Sequence, residues 1–179
     1  LFDKTVQEGR VFIHAHLGVN DIDEIFSKLR YMIIGCECKW IIIDHLHMLV
    51  SSLTDTDERR GIDLLMTRLR SLVEETGVGM ILVSHLRRVG GDHGHERGVQ
   101  VSLSHLKGSQ AIAQLSDCVI AVERNQQAED EEEANTTVVR VLKSRYTGYT
   151  GYACSLKYNS ETGRLREVNK EEALEDEQF

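Results

Sequence analysis

The run Trp40-Ile41-Ile42-Ile43-Asp44-His45 constrains the fold of this chain more than any other stretch. Isoleucine is branched at Cβ and sits best on a pleated surface, so the run reads as a strand buried on both faces that carries Asp44 to one edge of a sheet. In open α/β sheets ligands bind at the carboxyl edge of the strands. A carboxylate fixed there suits a Mg²⁺ ion held beside phosphates. Apolar strands more often end in Asp by chance or to cap the segment that follows, so the run alone is a weak signal and the rest of the chain must decide.

The flanking sequence supports an α/β fold. Residues 11–14 read as a short strand and residues 18–20 as a turn. Asp21, with Glu24 three residues on, caps a helix whose apolar face is Ile22, Ile25, Phe26, Leu29, Met32 and Ile33, and Gly35 ends it. After Asp44 comes a polar connection over residues 47–57. A second helix follows, with Ile62, Leu65, Met66, Leu69, Leu72 and Val73 at helical spacing and Gly77 as its stop. Residues 79–85 are another buried-type strand, ending in Ser84 and His85. Strands alternating with helices imply a mostly parallel sheet flanked by helices.

Beyond it, the Gly- and His-rich stretch 87–100 is a polar loop long enough to be functional. A short helix over 110–115 leads to a strand over 118–123, and an acidic loop follows. Residues 138–142 and 152–156 form an antiparallel hairpin at the sheet edge, and residues 164–168 a last strand after a turn at 159–163. Residues 169–179 are an acidic tail expected to be disordered.

A chain of 179 residues with 41% hydrophobic content buries one ordinary core, so residues 1–168 form one domain followed by the tail. Cys36, Cys38, Cys118 and Cys154 make no C-x-x-C pair and lie in or beside apolar segments. They suit buried thiols in a reducing compartment better than a disulfide framework or a metal site. No apolar run approaches the length of a membrane span and no signal-peptide pattern opens the chain, which suggests a soluble, intracellular protein with no membrane partner. The net charge of −8 argues against a nucleic-acid binder. Yet residues 129–133 carry −5 and residues 169–179 carry −4, which leaves the rest of the chain at +1. A local basic surface is compatible with that remainder.

Five stretches in order then resemble successive motifs of the ring-shaped replicative DNA helicases: Ile41-Ile42-Ile43-Asp44-His45; Ile81-Leu82-Val83-Ser84-His85-Leu86; residues 105–117, from His105-Leu106-Lys107-Gly108-Ser109-Gln110 to Asp117; Glu123-Arg124-Asn125-Gln126-Gln127; and Leu142-Lys143-Ser144-Arg145-Tyr146-Thr147-Gly148. The chain resembles phage primase-helicases and mitochondrial Twinkle more than bacterial DnaB. The resemblance implies a RecA-like core, a hexameric or other homo-oligomeric ring, and hydrolysis of ATP or dTTP coupled to movement along single-stranded DNA.

By that resemblance Asp44 is the Walker B carboxylate holding Mg²⁺, and His85 is the polar residue that contacts the terminal phosphate. Arg145 is the arginine finger and Lys143 its partner, both reaching a neighbouring subunit's nucleotide; without the family they read as a solvated strand edge. A guanidinium is planar and always charged, which suits a transferring phosphoryl group. Arg124 and Tyr158 match residues that sandwich the base. The connection after Asp44, the loop 87–97 and the loop near Gln126 match those facing the DNA channel, with Arg87, Arg88, His93, Arg97, Lys107, Gly108 and Ser109 as DNA contacts.

The chain departs from the pattern in two places. Gly91, His93 and His95 stand where lysines are expected, and His93 and His95 have metal ligation as an alternative reading. Lys107 and Gln110 stand where arginine and glycine are common. The acidic tail ending in Phe179 resembles phage tails that dock on a DNA polymerase, or is simply a solubilising terminus.

No G-x-x-x-x-G-K-[ST] loop occurs in the chain, nor the segment that in relatives carries the catalytic glutamate. The 179 residues alone are therefore expected to be inactive, as part of a larger helicase. A recombinase-type or clock-type ATPase, or a non-catalytic DNA-binding assembly module, are the alternatives. The expected location is the cytoplasm of a bacterial or phage-infected cell, with the mitochondrial matrix as alternative.

Overall fold

In the computed structural model, described over residues 9–14, 21–50, 55–87, 94–108 and 110–168, Asp21 opens the first helix as the sequence predicts. Its carboxylate accepts from the amide of Asp23 at 2.8 Å, and Glu24 pairs with Lys28 instead of closing a capping box. This helix, α1 (Ile22–Arg30), has acids in its first turn and bases in its last, matching the helix dipole. It runs on into a wider π-helical turn, Tyr31–Gly35, so the helical segment stops at Gly35 as the sequence predicts. Ile25, Phe26 and Leu29 are buried.

Two strands follow, β1 (Trp40–Ile43) and β2 (Gly79–Leu82), joined through α2 (Asp55–Thr76). They pair in parallel, Trp40 opposite Gly79 and Ile43 opposite Leu82. The predicted face of α2 is the buried one: Ile62 and Leu65 are inaccessible, and Met66, Leu69 and Leu72 nearly so. Gly77 then stops the helix at φ +69°, a left-handed conformation that costs other residues Cβ strain, while its amide donates to Val73 O at 2.8 Å. Arg30 pairs with Glu75 at 2.7 Å and Arg68 with Asp23 at 2.7 Å, and Arg68 also lies 4.3 Å from the Phe26 ring centroid, so ion pairs and a cation–π contact fasten α1 to α2.

Three expectations for this half are corrected. Residues 11–14 form no strand: Ile13 is 82% exposed, and unpaired extended backbone gains no ladder hydrogen bonds. The Asp44 strand is buried on one face only. Ile41 is covered, whereas Trp40 and Ile42 are each 66% exposed, and Ile81 and Val83 are exposed to a lesser degree. The connection after Asp44 is not a polar loop at its start. Leu46–Val50 is a 3₁₀ turn in which Leu46, His47, Leu49 and Val50 are buried. The turn expected at 18–20, residues 51–54 and the tail lie outside the described residues.

The chain divides into two units, Leu1–His85 and Leu86–Phe179. The second is built on a four-stranded antiparallel sheet in the order β3 (Cys118–Glu123), β4 (Thr136–Ser144), β5 (Gly151–Asn159) and β6 (Arg164–Val168). The expected hairpin is β4–β5, and it forms the middle of this sheet. The short helix α3 (Ala111–Leu115) precedes β3 as expected. The acidic run is not a loop: Glu131–Asn135 is a helical turn, α4, capped by Asp130, whose carboxylate accepts from the Glu133 amide at 2.7 Å. Acids at a helix amino end face the positive pole of its dipole, so the charge favours the turn.

Leu65→Ala should lower the unfolding free energy by about 3 kcal/mol through cavity formation. The neighbouring Leu64→Ala, at a side chain 52% exposed, should change it by under about 0.5 kcal/mol. Urea denaturation of both variants checks the helical phase.

Candidate functional site

In the first unit the candidate site lies at the carboxyl ends of β1 and β2. The amide of Val83 donates to Ile43 O at 2.9 Å and the amide of Leu46 donates to Val83 O at 2.9 Å. Pairing thus continues past both strands and sets Asp44 and His45 beside Ser84 and His85. The His45 and His85 rings have centroids 3.8 Å apart. A third ring, His47 from the 3₁₀ turn, is stacked 5.6 Å from His85 at 16°. Asp44 and His85 are exposed, His45 is half-buried and His47 is 4% exposed.

The structure therefore brings Asp44 and His85 to one edge, as the sequence predicts. An exposed carboxylate there fits the oxygen ligand a Mg²⁺ ion takes, and an imidazole fits a phosphate oxygen. His45 and His47 were missed. The D-H-x-H spacing directly after a strand was the available signal.

In the second unit Lys143 and Arg145 converge on the carboxyl end of α3. Lys143 Nζ donates to the carbonyls of Ala113, Gln114 and Ser116 at 2.7, 3.1 and 2.8 Å, and Arg145 Nη2 donates to Gln114 O at 2.9 Å. Arg145 also pairs with Asp117 at 3.0 Å, and its amide donates to Asp117 O at 2.8 Å. The last carbonyls of a helix lack intrahelical donors and carry partial negative charge, so a lysine here satisfies them. Neither residue is a merely solvated strand edge.

Arg124 donates from Nε to Ala134 O at 2.5 Å, and Tyr158 lies on β5 opposite Leu165, 38% exposed. Among the described residues the two side chains make no stacking pair with each other.

The loops matched to the DNA channel are tied down locally. Leu86 bridges Leu106, and the Arg87 amide donates to His105 O at 2.9 Å, so the loop between them is closed at its base. Arg97 bridges Asn125, and the Gln126 amide donates to Glu96 O at 3.0 Å, which joins the stretch 94–98 to the loop at Gln126. Gly98 permits this approach: its φ is +77°, and a Cβ would lie 3.1 Å from that of Asn125. Glu123 supports the same loop, accepting from the Val101 amide at 2.7 Å and facing Arg140 at 3.6 Å. Arg87, Arg97, Lys107 and Gly108 are exposed. Arg88, Gly91, His93 and Ser109 lie outside the described residues, so the expectations for them have no structural counterpart. His95 sits 5.1 Å from His105, ring to ring.

Residues 3–167 match the model of the DnaB-like helicase C terminal domain. The chain belongs to this family. It is 39% identical over 164 residues to a DNA helicase/primase of Enterobacteria phage T3, covering 92% of this chain and 28% of that protein. Among solved structures it resembles the KaiC-like protein PH0186 from Pyrococcus horikoshii OT3, with a TM-score of 0.63 at 15% identity, over 94% of this chain and 64% of that one. This likeness establishes the α/β, RecA-like fold class. The chain thus spans under a third of the phage protein it matches.

If Lys143 holds the end of α3, Lys143→Met should destabilise the second unit by about 2 kcal/mol, the scale of hydrogen bonds to a charged donor. It should also speed hydrogen exchange at the amides of Ile112 to Ser116. Denaturation and exchange measured by mass spectrometry check this.

Proposed function

We propose that this chain is the carboxyl-terminal part of the ATPase domain of a replicative ring helicase, which couples nucleoside triphosphate hydrolysis to movement along single-stranded DNA and to duplex unwinding. The observation that carries the reading is the continued β1–β2 pairing, which brings Asp44 and His85 to one edge of the sheet in a member of a helicase domain family. Asp44 would hold Mg²⁺, through water, at the phosphates of ATP or dTTP; the ion's chemistry there is to neutralise charge on the transferring phosphoryl group. His85 contacts the terminal phosphate. Because His85 immediately precedes the base of the loop 87–106, a change at that phosphate is passed directly into the chain segment carrying the DNA contacts.

Arg145 acts on the nucleotide of a neighbouring subunit in a homo-hexamer or other ring, and Lys143 positions it, since both donate to the carbonyl of Gln114. To serve as a finger, Arg145 must exchange its Asp117 partner for the nucleotide. Arg124 and Tyr158 stack on the base. Exposed Arg87, Arg97 and Lys107 contact DNA phosphates, which bind cations without reading sequence. The open apolar face of Trp40, Ile42, Ile81 and Val83 is the surface against which the upstream part of such a domain would pack. A DNA polymerase is the partner proposed for the acidic tail. No described helix is long and apolar enough to cross a membrane, and the proposed location is the cytoplasm of a phage-infected cell.

The 179-residue chain should show no DNA-stimulated hydrolysis. A protein extended upstream through a phosphate loop should show it, Asp44→Asn and Arg145→Ala should each abolish it at least about a hundredfold, and a mixture of the two should recover part of it through mixed interfaces. Turnover by the 179-residue chain itself, or variants that remain active, would contradict the reading.

A further inference from the structure

Three imidazoles meet where the function above uses only one. Each of His45, His47 and His85 offers a ring nitrogen, and the three nitrogens lie within 4.8 Å of one another. A tetrahedral ion with metal–nitrogen bonds of about 2.0–2.1 Å needs ligand atoms roughly 3.4 Å apart. The difference is within the reach of small side-chain rotations. His47 is buried, in a turn whose Leu46, Leu49 and Val50 are buried with it, so one ligand is already held in the core. The Nδ1 of His45 is buried without a hydrogen-bond partner among the described residues. Leaving such an atom unsatisfied is unfavourable, and a ligated ion would offset that cost.

We propose that His45, His47 and His85 form a site for a divalent transition metal of the class that prefers imidazole nitrogen, represented by Zn²⁺. The donor set decides the class. Mg²⁺ and Ca²⁺ take oxygen ligands, whereas neutral imidazole suits zinc, copper, nickel and cobalt. The site is therefore chemically distinct from the Asp44 carboxylate beside it, and binding at it does not depend on the helicase reading. Three protein nitrogens leave a fourth position for water. If the helicase reading also holds, an ion here ties up His85 and withdraws it from the terminal phosphate, so occupancy opposes hydrolysis.

The test is a Co²⁺ titration of the full 179-residue chain followed by visible absorption, with Zn²⁺ as competitor and circular dichroism as the control for folding. One Co²⁺ per chain should bind, with the d–d bands of four- or five-coordinate cobalt, and an equivalent of Zn²⁺ should displace it. His85→Ala, at an exposed position that spares the fold, and His45→Gln should each raise the Kd at least about tenfold, the scale on which even outer partners of a metal site act. Asp44→Asn and His95→Gln should leave it unchanged. Absence of bands at millimolar Co²⁺ in the folded chain, or bands that survive His85→Ala, would overturn the proposal. Failure of the helicase reading would appear only in the hydrolysis assay.

Discussion

The pairing of β1 with β2 is the constraint on which the candidate site depends. Parallel strands expose their carboxyl ends on one edge, and here the ladder runs on through the Val83 and Leu46 amides into the segments that carry the polar side chains. Those hydrogen bonds, not the strands alone, bring Asp44 and His45 to the level of Ser84 and His85. The buried 3₁₀ turn that follows adds His47. A site built on backbone ladders in this way holds its geometry without relying on long, flexible side chains.

The second unit solves a related problem with side chains. A five-residue helix has too few internal bonds to be stable alone, and its final carbonyls need donors. Lys143 and Arg145, two residues apart at the end of β4, supply them. The sheet thereby fixes the helix, and the helix fixes the direction of both cations. The Glu123–Arg140 pair does similar work for the loop at Val101, and the approach of Gly98 to Asn125 joins two loops that are distant in sequence. These contacts hold both cations against the end of α3, and the finger role proposed for Arg145 starts from that fixed position.

Much of this was legible in the residues. The helical phase of 62–72, the stop at Gly77, the cap at Asp21 and the strand at 118–123 follow from periodicity and backbone preference, which are local. Asp44 and His85 were legible because each ends an apolar run. The errors arose where tertiary structure overrides local pattern. Three isoleucines in succession describe a strand but not how many layers cover it, so the open face of Trp40 and Ile42 was invisible. Polar His47 drew its whole segment toward a loop reading, although Leu46, Leu49 and Val50 around it are core residues. The acids of 129–133 suggested a solvated loop, although acids are what a helix amino terminus favours. Most telling, the contact of His45 and His47 with His85 depends on a parallel pairing that spans about forty residues, and no local window contains it.

The central claim is that Asp44 and His85 share one phosphate site at the carboxyl edge of β1 and β2. It is tested most directly by an experimental structure of the upstream-extended protein with Mg²⁺ and a non-hydrolysable nucleoside triphosphate. The account predicts the ion on the Asp44 side and the terminal phosphate within hydrogen-bond reach of His85. A nucleotide bound with its phosphates remote from both residues would contradict it.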